Sequence, residues 1–188
     1  GAEEGASDWA HCVGLTRRIW LNDEGTDLMM EPIEALHNLE GAPLVQLENA
    51  PLEAANAALT DVNEDMLCLR LTVELADAQE FSIHVKSGGT KDDTVFTYSV
   101  ADGIISATTR NRGKAAKTGF VSGELNAEGL LEVKIYIDRS LVEAYFNDTK
   151  SICVRSYAEP TSTGIFLEAD GVVNVVSLYA APMRSIYS

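Results

Sequence analysis

The carboxylates that first invite a catalytic reading are Asp138 and Glu143, which flank Arg139-Ser140 in a strand-like run. If Arg139-Ser140 is a two-residue hairpin loop, Ile137 pairs with Val142, Ile135 with Ala144 and Val133 with Phe146. The apolar residues then share one face, and Lys134, Tyr136, Asp138, Leu141, Glu143 and Tyr145 share the other. Asp138 and Glu143 become diagonal neighbours with Cβ atoms about 7 to 8 Å apart. Glycoside hydrolysis uses carboxyl pairs at about 5 Å when retaining and about 6.5 to 9.5 Å when inverting, so spacing alone admits them. A hairpin face supplies no cleft to raise one pKa and hold a sugar ring, which favours a solvated or salt-bridged role with Lys134 or Arg139. Other chemistries find less. There is no Gly-x-Ser-x-Gly elbow and no phosphate-cradling glycine loop. Cys12, Cys68 and Cys153, and His11, His37 and His84, are scattered in no ligand spacing, so buried thiols and no metal or other cofactor are expected. Asn147-Asp148-Thr149 fits a glycosylation acceptor but reads first as a hairpin turn.

The elements that must position these groups are mostly strands. From Met66 the period is two, with Leu67, Leu69, Leu71, Val73 and Leu75 on one face and Cys68, Arg70, Thr72 and Glu74 on the other. Similar runs recur at 81–86, 94–100, 103–109, 130–137, 141–147, 150–157, 164–169 and 172–179. Gly88-Gly89, Asp102-Gly103, Asn147-Asp148 and Asp170-Gly171 punctuate them. Residues 11–21 read as an earlier strand stopped at Asn22-Asp23-Glu24-Gly25. Pro32, then Ile33, Leu36 and Leu39, then Gly41, predict one short helix over 31–41. Pro51 to Leu59 reads as either a turn of helix or a loop. Many short strands with little helix predict an all-β, two-sheet antiparallel sandwich of the jelly-roll or lectin-like kind, preceded by a short linker strand and helix.

The 188 residues carry 14 Lys and Arg against 29 Asp and Glu, a net charge of −15 that repels phosphate backbones and anionic lipid. Neither nucleic acid nor a membrane is an expected partner. The charge is uneven. Residues 31–80 hold eleven acids against Arg70 alone, whereas 81–120 hold Lys86, Lys91, Arg110, Arg112, Lys114 and Lys117 against Asp92, Asp93 and Asp102. A solvated loop is the simplest account of that basic stretch; a contact patch for an acidic or polyhydroxyl partner is the other. No run approaches a membrane span and no signal core opens the chain. It begins at Gly1 with Trp20 already on a strand, so an excised piece of a longer protein is expected, with its compartment undetermined.

The run Ile137-Asp138-Arg139-Ser140-Leu141-Val142-Glu143-Ala144-Tyr145-Phe146-Asn147-Asp148 resembles the V-D-R-S-S-V-E-V-F-V-N-D hairpin of the C-terminal domain of glycoside hydrolase family 32, the invertases, inulinases and levanases. Trp9-Ala10-His11-Cys12-Val13-Gly14-Leu15-Thr16-Arg17-Arg18-Ile19-Trp20-Leu21 is similar to the family's W-A-G-x-L-S-L-P-R-E-L-x-L segment. Thr108-Thr109-Arg110-Asn111-Arg112-Gly113 is similar to its V-D-R-S-R-S-G stretch, and Glu31-Pro32 to its linker. Thr16-Arg17-Arg18 and Thr109 depart from the family pattern, so side-chain contacts there are not carried over. The resemblance implies a non-catalytic sandwich supporting a five-bladed catalytic propeller of the same parent chain, because the family's R-D-P and E-C motifs are missing. Trp20-Leu21-Asn22-Asp23-Glu24-Gly25 only superficially matches its nucleophile loop. The implied division is a propeller-closing strand and linker over 1–30, the linker helix over 31–41 and the sandwich over 42–188. Trp9, Trp20, Asp138 and Arg139 are then candidate interdomain contacts. The alternative is a module binding fructan or sucrose through Tyr136, Tyr145, Glu143, Arg110 and Arg112, and a homodimer is compatible with either.

Overall fold

The computed structural model describes residues 13–185, apart from the side chains of 117 and 118. Thirteen strands form three antiparallel sheets: β1 (Arg17–Leu21), β2 (Leu28–Pro32), β3 (Val45–Pro51), β4 (Met66–Glu74), β5 (Glu80–Ser87), β6 (Asp93–Ser99), β7 (Ile104–Asn111), β8 (Lys114–Ser122), β9 (Leu130–Asp138), β10 (Leu141–Phe146), β11 (Lys150–Arg155), β12 (Gly164–Ala169) and β13 (Asn174–Pro182). A six-stranded sheet, β11-β10-β9-β4-β13-β3, packs on a five-stranded one, β12-β5-β6-β7-β8. β1 and β2 stand apart as a hairpin. The all-β sandwich expected from the alternation is what forms.

Leu67, Leu69, Leu71 and Val73 of β4 and Val133, Ile135 and Ile137 of β9 point between the sheets, where they meet Phe81, Ile83, Phe96 and Ile105. Phe96 and Phe146 join the two sheets through tilted rings 6.1 Å apart. The β9–β10 hairpin takes the register derived from its sequence, with Val142 opposite Ile137, Ala144 opposite Ile135 and Phe146 opposite Val133. Arg139 sits at φ 52° to close its two-residue turn, and Asn147 and Asp148, at 47° and 50°, turn the chain into β11. The Asn147 side chain is bound into that turn, accepting from the Glu132 amide at 2.6 Å.

Three strands were not legible. β8 reads as charged loop because Lys114 and Lys117 interrupt it, yet it pairs along β7 as the sheet edge. β3 and β2 each end at a proline, tolerated because both are sheet edges. The helix expected over 31–41 is a 3-10 helix, Glu34–Leu39, with Glu31 and Pro32 already in β2. Ile33, Leu36 and Leu39 recur every three residues, the repeat of a 3-10 turn. The Pro51–Leu59 segment resolves into a full helix, α1 (Leu52–Leu59), which buries Ala55 and Leu59. Asn56 fastens α1 over the outer strand of the five-stranded sheet, donating to the Leu167 carbonyl at 2.9 Å and accepting the Leu167 amide at 2.7 Å. The strand edge is thereby covered. Of the cysteines, Cys68 is buried as expected, Cys153 is exposed instead, and Cys12 lies outside the described residues.

Gly171 is required by close approach. A Cβ there would lie 2.8 Å from the Ala78 Cα and 2.9 Å from its nitrogen, backbone that cannot yield cheaply. Gly171→Ala is expected to cost about 1 to 2 kcal/mol by overpacking, read as a lower urea midpoint with unchanged slope.

Candidate interdomain interface

The hairpin's polar face, expected to meet solvent, is covered. Glu143 and Tyr145 are each 1% exposed and Tyr136 is 8% exposed. What covers them is the chain's own N-terminal segment, held to the six-stranded sheet by three polar clamps.

The first clamp centres on Glu143. Its carboxylate accepts the Leu15 amide at 2.6 Å, the Arg17 guanidinium at 3.2 Å and the Tyr145 hydroxyl at 3.0 Å. Arg17 also donates to Ser151 Oγ at 2.9 Å and lies over the Tyr145 ring, 5.2 Å from its centroid. Gly14 passes so close that an added Cβ would sit 3.0 Å from Glu143 Oε1. Burial, reinforced by the Glu143 charge, pushes the Tyr145 hydroxyl above its ordinary pKa and keeps it a donor.

The second clamp is Lys134, whose ammonium meets Asp148 at 2.8 and 3.0 Å and Glu31 of β2 at 3.2 Å. Glu31 also pairs with Arg18 at 2.8 Å. The third is Glu40, just past the 3-10 helix. Arg70 grips it with both terminal nitrogens, at 2.6 and 3.0 Å, while the Tyr179 hydroxyl donates at 2.9 Å and His37 Nδ1 lies 2.7 Å away. Burial alone would raise the Glu40 carboxyl, but the Arg70, His37 and Tyr179 contacts outweigh it and hold it at about 2. Between the clamps, Cys68, Tyr136 and Tyr145 pack with Leu15, Leu36 and Met183. The two tyrosine rings meet edge to face at 6.4 Å, and burial pushes the Cys68 thiol up to about 12.

A groove of about 360 Å³ remains beside the β9–β10 turn, lined by Leu15, Leu36, Tyr136, Asp138, Arg139 and Met183 among others. The exposed Asp138 and Arg139 stand at its rim. Next to the clamps, the β1–β2 hairpin presents Ile19, Leu21 and Leu28 to solvent. Trp20 is half-buried, with the Arg18 guanidinium 4.3 Å from its ring centroid. Trp9 lies outside the described residues.

The residues considered for sugar binding are not brought together. Tyr136, Tyr145 and Glu143 lie under the linker on the six-stranded sheet, whereas Arg110 is on β7 of the other sheet. Arg112, at the β7–β8 turn, pairs with Glu159 at 3.2 Å. Leu15, Arg17, Glu40, Arg70 and Tyr179 were missed as interface residues. No local signal marked them, because the face that carries Cys68, Tyr136, Glu143 and Tyr145 also carries Arg70, Lys134 and Asp138, as a solvated strand face would. Among the described residues no group of His, Cys, Asp and Glu could hold a metal ion, and no helix is long and apolar enough to cross a membrane.

A two-sheet antiparallel sandwich with its entering linker locked across one sheet defines the structural class. The profile described as "Glycosyl hydrolases family 32 C terminal" matches residues 38–182, and the chain belongs to that family. Its fold is similar to those of an exo-inulinase from Aspergillus awamori (TM-score 0.70, 14% identity, 90% of this chain and 35% of that one) and a sucrose-6-phosphate hydrolase from Lactobacillus gasseri (0.69, 20%, 95% and 35%). Fructan 1-exohydrolase IIa from Cichorium intybus is similar too (0.66, 13%, 90% and 40%). The chain thus spans little more than a third of each of these chains. No curated protein sequence matches it.

Proposed function

We propose that this chain is the non-catalytic sandwich of a fructan- or sucrose-cleaving glycoside hydrolase, and that it serves as a rigid buttress for a five-bladed catalytic propeller in the same parent protein. In this reading residues 1–30 form the strand and linker arriving from the propeller, 31–41 the linker turn and 42–188 the sandwich. The Glu143 clamp carries the proposal. A carboxylate buried on a sheet face is costly unless it is fully partnered. Here two of its three donors come from residues 15 and 17, so its evident work is to fix the angle at which the preceding chain enters.

The exposed Ile19, Leu21 and Leu28 then form the apolar part of the propeller contact, with Trp20, Asp138 and Arg139 nearby. In the isolated chain the same patch supports self-association into a homodimer. A separately expressed catalytic propeller from a family 32 enzyme is expected to co-elute with this chain. The double substitution Ile19→Asp and Leu21→Asp should abolish co-elution while leaving the unfolding free energy from urea titration within about 0.5 kcal/mol of the parent, because both side chains are exposed. Sucrose or inulin hydrolysis by the chain alone, or co-elution that survives the substitutions, would count against the buttress reading.

A further inference from the structure

The groove beside the β9–β10 turn is lined by the apolar side chains of Leu36, Leu39, Met66, Leu141 and Met183. Each of them is half-buried rather than buried, so the lining keeps apolar surface in contact with water. The walls come from separate parts of the chain: the linker over 13–15, the 3-10 helix, and the hairpin end over 136–141. Asp138 and Arg139, both exposed, put a carboxylate and a guanidinium at the rim.

The chain that leaves β13 enters this groove as an extended strap. The Met183 amide donates to the Met66 carbonyl at 2.9 Å and the Arg184 amide to the Leu39 carbonyl at 2.8 Å, so successive backbone groups are tied to opposite sides. Met183 also bridges Glu40 in the antiparallel sense. In extended chain every second side chain falls on the same side. Met183 packs with Cys68, Tyr136 and Tyr145. Arg184, though also at the groove, turns its guanidinium to the Asn38 carbonyl at 2.7 Å and stays exposed. Ser185 lines the groove again. The sequence continues Ile186-Tyr187-Ser188, and period two assigns position 187 to the side of Met183 and Ser185.

We propose that the segment 186–188, which lies outside the described residues, closes this groove with the Tyr187 ring as its plug. The reach is short. The Tyr187 Cα stands no more than about 7 Å from that of Ser185, itself a lining residue, so the ring either enters the groove or meets water. A groove of about 360 Å³ admits one aromatic side chain but not a helix, which is about 10 Å across. The chemistry matches, because the ring rests on Leu36, Leu39 and Leu141 while its hydroxyl meets Asp138 or Arg139 at the rim. The N-terminal segment has the weaker claim, since Val13, through which it would enter, is 95% exposed. Seated there, Tyr187 is a wedge that joins the strand leaving the sandwich to the linker entering it at Leu15. This inference concerns the chain alone and does not rest on propeller docking.

Nuclear Overhauser measurements on the isotope-labelled chain test the placement directly. Contacts from the Tyr187 ring protons to the methyl groups of Leu36, Leu39 or Leu141 are expected. Tyr187→Ser should speed exchange of the Arg184 amide about tenfold while β9 stays protected. The same substitution should raise the fluorescence of added anilinonaphthalene sulfonate by opening the apolar lining to the dye. Tyr187→Phe keeps the ring and should return both readings to those of the parent. Absence of these ring contacts, or an Arg184 exchange rate indifferent to Tyr187→Ser, would overturn the proposal and leave the groove open. Contacts from the Trp9 indole to the same methyl groups would overturn it in favour of the N-terminal segment. Contacts that vanish on dilution together with a dimer mass would overturn it in favour of a second copy.

Discussion

Glu143→Ala is expected to lower the unfolding free energy by about 3 kcal/mol, and with it the melting temperature by about 6 to 12 °C for a chain of this size. The substitution removes the common acceptor of three donors. The Leu15 amide, the Arg17 guanidinium and the Tyr145 hydroxyl all point at that carboxylate, and Tyr145 is too buried to turn to water. Arg17 is less costly to strand because about a third of its side chain is exposed, which keeps the loss at the lower end for a broken buried pair. Glu143→Gln retains an oxygen for the Leu15 amide but opposes an amide NH₂ to a guanidinium, so about half the loss should remain. Two measurements separate linker release from global damage: urea unfolding, and hydrogen exchange at Leu15. If the clamp holds the linker, Leu15 protection collapses in Glu143→Ala while protection in β4 and β9 falls only with global stability. A change below about 1 kcal/mol with Leu15 still protected would show that the linker is held by packing alone.

The second large effect depends on pH. The Glu40 carboxyl is held at about 2, below its ordinary value of 4.5. A carboxyl with a depressed folded-state pKa stabilises the protein above its unfolded value and loses that contribution as the pH falls toward the folded one. The window is therefore about pH 4.5 down to about 2. A shift of this size is worth up to about 3 kcal/mol, and about 2 kcal/mol once screening through the exposed side of the Arg70–His37 cluster is allowed for. Glu40→Gln should thus be about 2 kcal/mol less stable than the parent at pH 7. Most of the gap should close as both are taken to pH 2, because the parent's Glu40 is then protonated in the unfolded chain and about half protonated in the folded one. Urea midpoints measured in parallel from pH 7 to pH 2 test this. A gap that stays constant would mean that the cluster stabilises by hydrogen-bond geometry without a contribution from charge.

Much of the fold was legible because a strand buried on one face must alternate. That requirement gave β4 and β9 and, with a two-residue turn, the register of β9 against β10 residue by residue. It also showed which side chains share a face. Edge strands escaped the same reasoning. β8 needs few apolar side chains because much of it meets water, so Lys114 and Lys117 passed for loop.

The sequence by itself therefore determined the sandwich, the pairing of its central hairpin and the family resemblance carried by that hairpin. It placed Tyr136, Glu143 and Tyr145 on one face, because period two leaves no choice. What lies over that face was decided by tertiary structure alone. Glu143 and Leu15 are 128 residues apart, and no local pattern records that a passing backbone will cover a strand from outside. The same holds for the other sheet, where Asp93 and Arg110 face each other with their charges unjoined. Register set them opposite, but only the packed side chains around them, with His84 drawing Asp93 Oδ2 away, left the other carboxylate oxygen without a partner.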